Sequence, residues 1–220
     1  MQTKSLGQMN ELSMKCARTF ALIAMAICFV ACSNAQQRRS DANVSPLERK
    51  VLIVYLSRTN NTKAVAEFIH EEIRGTLVPI ELERPYPDDY RTTVDQVAGE
   101  NETGYLPPLK TKIERIEQYD VVFIGFPTWG MQLPPPMKSF LKEYNLKGKT
   151  VVPFNTNAGY GVGSSFATVK ELCPDSNVLE GFTTTGGIER DGIYLAIKDE
   201  RATEVLSQVR DWLRRIKVLS

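Results

Sequence analysis

From residue 50 onward, unbroken apolar runs alternate with stripes of apolar residues at helical spacing. Val51–Leu56 is six apolar or aromatic residues in succession, which predicts a strand buried on both faces. Val65, Ala66, Ile69 and Ile73 then recur at helical spacing across residues 61–74. Residues 76–83 (TLVPIELE) predict a second strand, placed at a sheet edge by Pro79. Val121–Phe126 is another continuous apolar run and predicts a central strand. Thr150–Phe154 and Asn177–Phe182 complete a set of five.

Helices are expected between these strands. Pro134, Pro135 and Pro136 open one, with Met137, Phe140, Leu141 and Tyr144 on a single face. Phe166, Val169 and Leu172 mark a second, and Ala202 to Ile216 a clear amphipathic one. Strand–helix alternation predicts a doubly wound parallel sheet with helices on both faces. Residues 84–108 break the pattern and predict a long polar excursion made of a short helix plus loop.

The N-terminal segment has a different logic. Lys15 and Arg18 precede an apolar run, Phe20–Ala31, and small residues follow. A basic flank, a short apolar stretch and a small-residue exit predict a secretory signal peptide over residues 1–31. Phe29-Val30-Ala31-Cys32 resembles a bacterial lipoprotein lipobox, which would make Cys32 the lipidated N-terminus; cleavage after Ala35 is the other reading. Met14 is an alternative start that leaves this leader intact. Residues 32–49 are polar and predict a tether to a domain at 50–220. The expected localisation is a membrane-anchored lipoprotein of a bacterial cell envelope, otherwise a periplasmic or secreted protein.

Composition narrows the chemistry. The 220-residue chain carries a formal charge of +1. Losing Lys4, Lys15, Arg18 and Glu11 with residues 1–32 turns that into −1. No strong field selects nucleic acid or an anionic lipid surface. Cys173 is the one cysteine left beyond Cys32, so no internal disulfide is expected in the domain. His70, the one histidine, falls within the first helix. Neither a His/Cys metal cluster nor a Ser/His/Asp triad at the strand ends is expected.

Three loops follow the C-terminal ends of predicted strands, where open α/β sheets bind ligands. The first (Ser57, Arg58, Thr59, Asn60, Asn61, Thr62) crowds hydroxyls and amides at a helix N-terminus, which suits a phosphate. It lacks the Gly-Lys-Ser/Thr of a Walker A motif, and Arg58 offers a partial countercharge. The second (Pro127, Thr128, Trp129, Gly130) places an indole where it can stack on a planar heterocycle. The third (Asn155, Thr156, Asn157, Gly159, Tyr160, Gly161) combines glycines, which admit close backbone approach, with a second ring.

These segments together resemble the flavodoxin family. VLIVYLSRTNNTKAVAE looks like its phosphate-loop segment, IGFPTWGMQLPPPMKSFL like the segment whose aromatic covers the flavin ring, and VVPFNTNAGYGVGSS like its third flavin loop. Asn60 stands where the family commonly has Gly. The resemblance implies a flavodoxin-like doubly wound five-stranded sheet that binds FMN. Ser57, Thr59, Asn60, Asn61 and Thr62 would hold the phosphate, Pro127, Thr128, Trp129 and Gly130 one side of the ring, and Asn155, Thr156, Asn157, Gly159, Tyr160 and Gly161 the other. It implies electron transfer with a redox partner protein and no catalytic side chain; the alternative is an FMN oxidoreductase using NAD(P)H or a small quinone. In the second case residues 84–108 would wall the substrate pocket, with Tyr86 and Tyr90 near the ring.

Overall fold

The computed structural model describes residues 49–219. The expected leader, Cys32 and the tether through residue 48 lie outside the described residues. The elements in chain order are β1 (Val51–Tyr55), α1 (Asn61–Ile73), β2 (Thr76–Pro79), α2 (Tyr90–Thr103), β3 (Val121–Pro127), α3 (Pro135–Glu143), β4 (Thr150–Asn157), α4 (Ser165–Leu172), β5 (Asn177–Val178), β6 (Phe182–Thr185) and α5 (Asp199–Arg215).

The sheet is parallel, in the order β2-β1-β3-β4-β5, with β6 also paired to β4. It therefore has five strand positions, as expected. The fifth is divided, however, where a single strand Asn177–Phe182 was expected. β5 pairs with Thr150 and Val151, and β6 with Phe154 through Asn157. Gly181 lies in the break, with the Phe166 ring so close that a Cβ there would sit 2.7 Å from it. The edge strand is interrupted beside that ring.

Period-two alternation divides the apolar strands between two cores. Leu52, Val54, Val122, Ile124 and Phe126 face one side, with Met137, Phe140 and Leu141 of α3 and Val169 of α4. Ile53, Tyr55, Phe123, Val152 and Phe154 face the other, against Val65, Ala66 and Ile69 of α1 and Val205, Val209, Trp212 and Leu213 of α5. Burying each such side chain fully contributes about 1.5–3 kcal/mol, which is why β1 and β3 have no polar face. Cys173 is buried, and desolvation pushes its thiol up to about 11.

Residues 84–108 contain more helix than the expected short piece. α2 runs for 14 residues, capped by Asp89, whose carboxylate accepts from the Thr92 N–H, and closed by Gly104 at φ 70°. Its inward stripe is Thr93, Val97 and Glu100, so polar residues stand where a core pattern would show apolar ones. Glu100 is buried because the Tyr86 hydroxyl and the Gln96 amide both donate to it.

One glycine in the sheet centre is sterically obligatory. A Cβ on Gly125 would lie 2.1 Å from the Phe154 ring on neighbouring β4. Gly125→Ala should therefore cost about 1–3 kcal/mol through overpacking. A urea titration checks it, and an unchanged midpoint would show that the ring can move aside.

Candidate functional site

The three loops anticipated from the sequence meet at the C-terminal ends of β1, β3 and β4, around a cavity of about 500 Å³. That lies within the range of small-molecule sites, about 300–1,000 Å³. Arg58, Thr59, Asn61, Thr62, Pro127, Thr128, Trp129, Gly130, Thr156 and Asn157 line it. Tyr160 and Gly161 line a smaller hollow at the lip, shared with Thr128, Gly130 and Asn157. Ser57, Asn60, Asn155 and Gly159 are not among the lining residues of either, and most of them act by shaping the loops.

The first loop is an anion cradle made by the backbone. Asn60 takes φ 65°, ψ 0°, the left-handed conformation, immediately before α1. That geometry turns successive N–H groups to one side, at the positive end of the helix. Among the described residues, the N–H groups of Thr59, Asn60, Asn61 and Thr62 have no hydrogen-bond partner, whereas Lys63 N–H is capped by Ser57 Oγ at 3.2 Å. Ser57 and Thr59 accept through their hydroxyl oxygens, so each proton remains available to an anion.

Three other side chains of this loop, those of Arg58, Asn61 and Thr62, serve the architecture. The Arg58 guanidinium donates to Glu189 Oε1 at 2.7 Å, Pro87 O at 2.9 Å and Asp88 O at 2.6 Å. Its charge is matched by Glu189, and it ties two distant segments to the cradle. Asn61 is buried; its amide donates to Tyr194 O at 2.6 Å and accepts from Ala196 and Ile197 N–H at 2.9 and 3.1 Å. Thr62 Oγ1 bonds Thr156 Oγ1 at 2.8 Å in the interior, joining α1 to β4.

The second loop turns sharply after Trp129. Trp129 and Gln132 exchange backbone hydrogen bonds at 3.3 and 3.0 Å, with Gly130 at φ 56° and Met131 at φ 59°. Positive φ at both central positions defines the mirror-image hairpin turn, and Met131 is strained by it. Its carbonyl is clasped by Ser164 N–H at 3.0 Å. Gly163 sits against that same oxygen, 2.0 Å from where its Cβ would be, so the third loop must have glycine there. The half-buried Trp129 packs edge-on to Tyr86, with centroids 5.3 Å apart at 86°.

The third loop rests on two asparagines. Asn155 is fully buried and donates to Phe126 O and Thr128 Oγ1, both at 3.0 Å. Asn157 accepts from Gly159 and Gly161 N–H at 2.9 and 3.1 Å, folding the loop back on itself. Tyr160 stands 67% exposed at the rim. A cradle of neutral donors thus leads into a cavity with an aromatic wall, an arrangement that fits a phosphate joined to a planar ring.

Residues 50–198 match the family model for flavodoxin. The chain belongs to the flavodoxin family. Among solved structures, a protein of Bacteroides eggerthii DSM 20697, provisionally described as a flavoprotein, shares 32% identity at a TM-score of 0.61. That match covers 76% of this chain and 98% of the other. A flavoprotein of Lactobacillus acidophilus NCFM, solved in complex with FMN, shares 27% identity at a TM-score of 0.56, covering 61% and 92%. A similarly described protein of Bacteroides uniformis ATCC 8492 has the same fold at 24% identity and a TM-score of 0.61, covering 76% and 98%. No curated protein matches the chain in sequence. This is a flavodoxin-like flavoprotein fold.

Within this flavodoxin fold, two parts of the cavity wall carry little sequence signal. α2 contributes Tyr90, Thr93, Val94, Val97, Ala98, Asn101 and Glu102; of the two tyrosines noted from the sequence, Tyr86 lies behind Trp129. Gly186, Gly187 and Glu189 come from the segment after β6, which Asn61 and Arg58 hold in place. The Asp89 cap and Gly104 were available as helix signals for α2. The segment after β6 has no comparable marker.

Asn60 gives the test of the cradle. Asn60→Gly should leave stability within a few tenths of a kcal/mol of the parent or raise it, whereas Asn60→Val should cost about 1–2 kcal/mol, because a β-branched residue resists left-handed geometry. Denaturant unfolding of the pair checks this. Equal midpoints would mean that the loop relaxes out of the conformation.

Proposed function

We propose that this protein is an FMN-dependent redox protein of the cell envelope that carries electrons between partners. FMN is the cofactor. The observation that carries this reading is the continuity of one cavity from the cradle residues Thr59, Asn61 and Thr62 to the Trp129 wall. When bound, FMN supplies one- or two-electron redox chemistry. The chain's own residues bind and orient it. Backbone N–H groups of Thr59 through Thr62, with the Ser57 and Thr59 hydroxyls, receive the phosphate. Trp129 supports the ring, and the glycine loop shaped by Asn157 lets backbone approach its polar edge. No side chain is needed as acid or base for electron transfer.

The N-terminal sequence adds an address. A leader ending at Cys32 would place the domain outside the cytoplasm on a lipid anchor, with residues 33–48 as the tether. The partner is a redox protein or a small nicotinamide or quinone. An enzymatic reading has its own support: α2 extends the cavity beyond the three loops with Val94, Val97 and Ala98. Turnover of NADH or NADPH with a quinone would mark the enzyme, and reduction solely by a protein donor would mark the carrier.

Titrating the purified chain with FMN, followed by flavin fluorescence, should show binding. Thr59→Val and Trp129→Ala should each weaken it by about 1 kcal/mol or more, roughly fivefold. Unaltered affinity in both would remove the cradle and the wall from the site. Fractionation checks the anchor: Cys32→Ser should move the protein from the membrane to the soluble fraction, and unchanged partition would refute lipidation there.

A further inference from the structure

Lys138 on α3 is half-buried, and desolvation lowers its pKa from the ordinary lysine value. Among the described residues, no carboxylate lies within ion-pair distance of it. Its ammonium instead donates to Asn101 Oδ1 at 2.8 Å and Gln132 Oε1 at 3.4 Å. Both residues line the main cavity, one from α2 and one from the turn after Trp129. An ammonium has donors alone, so it fixes both amides with oxygen towards it and –NH₂ away from it. Neither –NH₂ group has a partner among the described residues.

Two oriented amide donors with a poorly solvated cation behind them make a polar end suited to a carbonyl oxygen. The charge favours electron density that builds on that oxygen. Beside it, Val94, Val97 and Ala98 form an apolar wall. Glu102, also lining the cavity, disfavours a carboxylate or phosphate in the same space.

We propose that the α2 end of the cavity binds a planar, uncharged quinone-type compound, its ring against Val94, Val97 and Ala98 and a carbonyl oxygen on the Asn101 and Gln132 amides. This rests on the FMN reading and names the small-molecule acceptor that the bound cofactor would serve. Reducing a quinone to its quinol takes two electrons and two protons, the amount that reduced FMN releases on returning to its oxidised form. Lys138 is the positioning residue: it touches the amides and sets which atoms they present.

The test is equilibrium dialysis of 2-methyl-1,4-naphthoquinone against the FMN-loaded full chain, without reductant. Saturable binding is expected, with 2-methylnaphthalene, which lacks the carbonyls, binding at least tenfold more weakly. Lys138→Met and Asn101→Leu should each weaken quinone binding about tenfold while FMN affinity stays within twofold of the parent. Urea midpoints near the parent value identify which of the two variants report on the site. Absence of quinone binding, equal binding of the naphthalene, or unchanged affinity in folded variants would overturn the proposal. So would a matching loss of FMN affinity in Lys138→Met, which would place the amide pair on the flavin itself. A wild-type chain that takes up no FMN fails at the earlier titration and overturns the cofactor reading, distinguishably from these outcomes.

Discussion

In a parallel sheet ordered β2-β1-β3-β4-β5 the sense in which successive strands are added switches between β1 and β3, and the layout of the candidate site follows from that switch. Chains leaving β1 and β3 go to opposite faces, so no helix covers the carboxyl ends of this pair. The opening exposes backbone ends that must still be satisfied. This protein does so with side chains of Asn155, Thr128, Thr156 and Thr62 and one main-chain bond from Thr128 N–H to Thr156 O. Asn155 bonds the Phe126 carbonyl and Thr128, Thr128 bonds Thr156 and Gly161, and Thr156 bonds Thr62. These bonds form one seam under all three loops, and the cavity floor is as fixed as the sheet below it.

Above that floor, residues of ligand-binding type are used to hold walls. Arg58 could have met a phosphate directly. Its bond to Glu189 and two carbonyls makes it instead the link between the cradle, the segment before α2 and the segment after β6. Asn61 does the same for residues 194–197. The cradle then depends on neutral N–H groups and the α1 dipole. Such a site binds an anion through geometry more than net charge, in keeping with a domain whose formal charge is close to zero once the N-terminal segment is set aside.

The parts of this design that were legible in the sequence are those whose signal is local. Continuous apolar runs marked β1 and β3 because both strand faces are buried, and helical stripes marked α1, α3, α4 and α5. Asn60 stood out as a departure from glycine, and the backbone there adopts the left-handed conformation that glycine would serve. α2 was underestimated because its inward stripe includes Thr93 and Glu100, which become interior residues through partners distant in sequence. The structural bonds of Arg58 and Asn61, both of which also line the cavity, were not legible for the same reason: a polar residue at a strand end looks identical whether or not its side chain also holds another loop. The break between β5 and β6 lies where Gly181 meets the Phe166 ring, a contact that no local pattern records.

Lys138 sits where its charge is costly. Partial burial penalises its charge, and no carboxylate among the described residues offsets that penalty. If the position existed for packing alone, a methionine would fill it with the same stem and no desolvation loss. Two amides already satisfy part of the ammonium, and both could equally have faced water. Both amides belong to residues that line the cavity and turn their oxygens to the lysine, so on the proposed reading its charge acts through them on a bound carbonyl. A half-buried cation relayed by two neutral donors can polarise a carbonyl without forming an ion pair with it. That distinction favours an uncharged acceptor over an anion and ties the polar excursion of α2 to the proposed redox function.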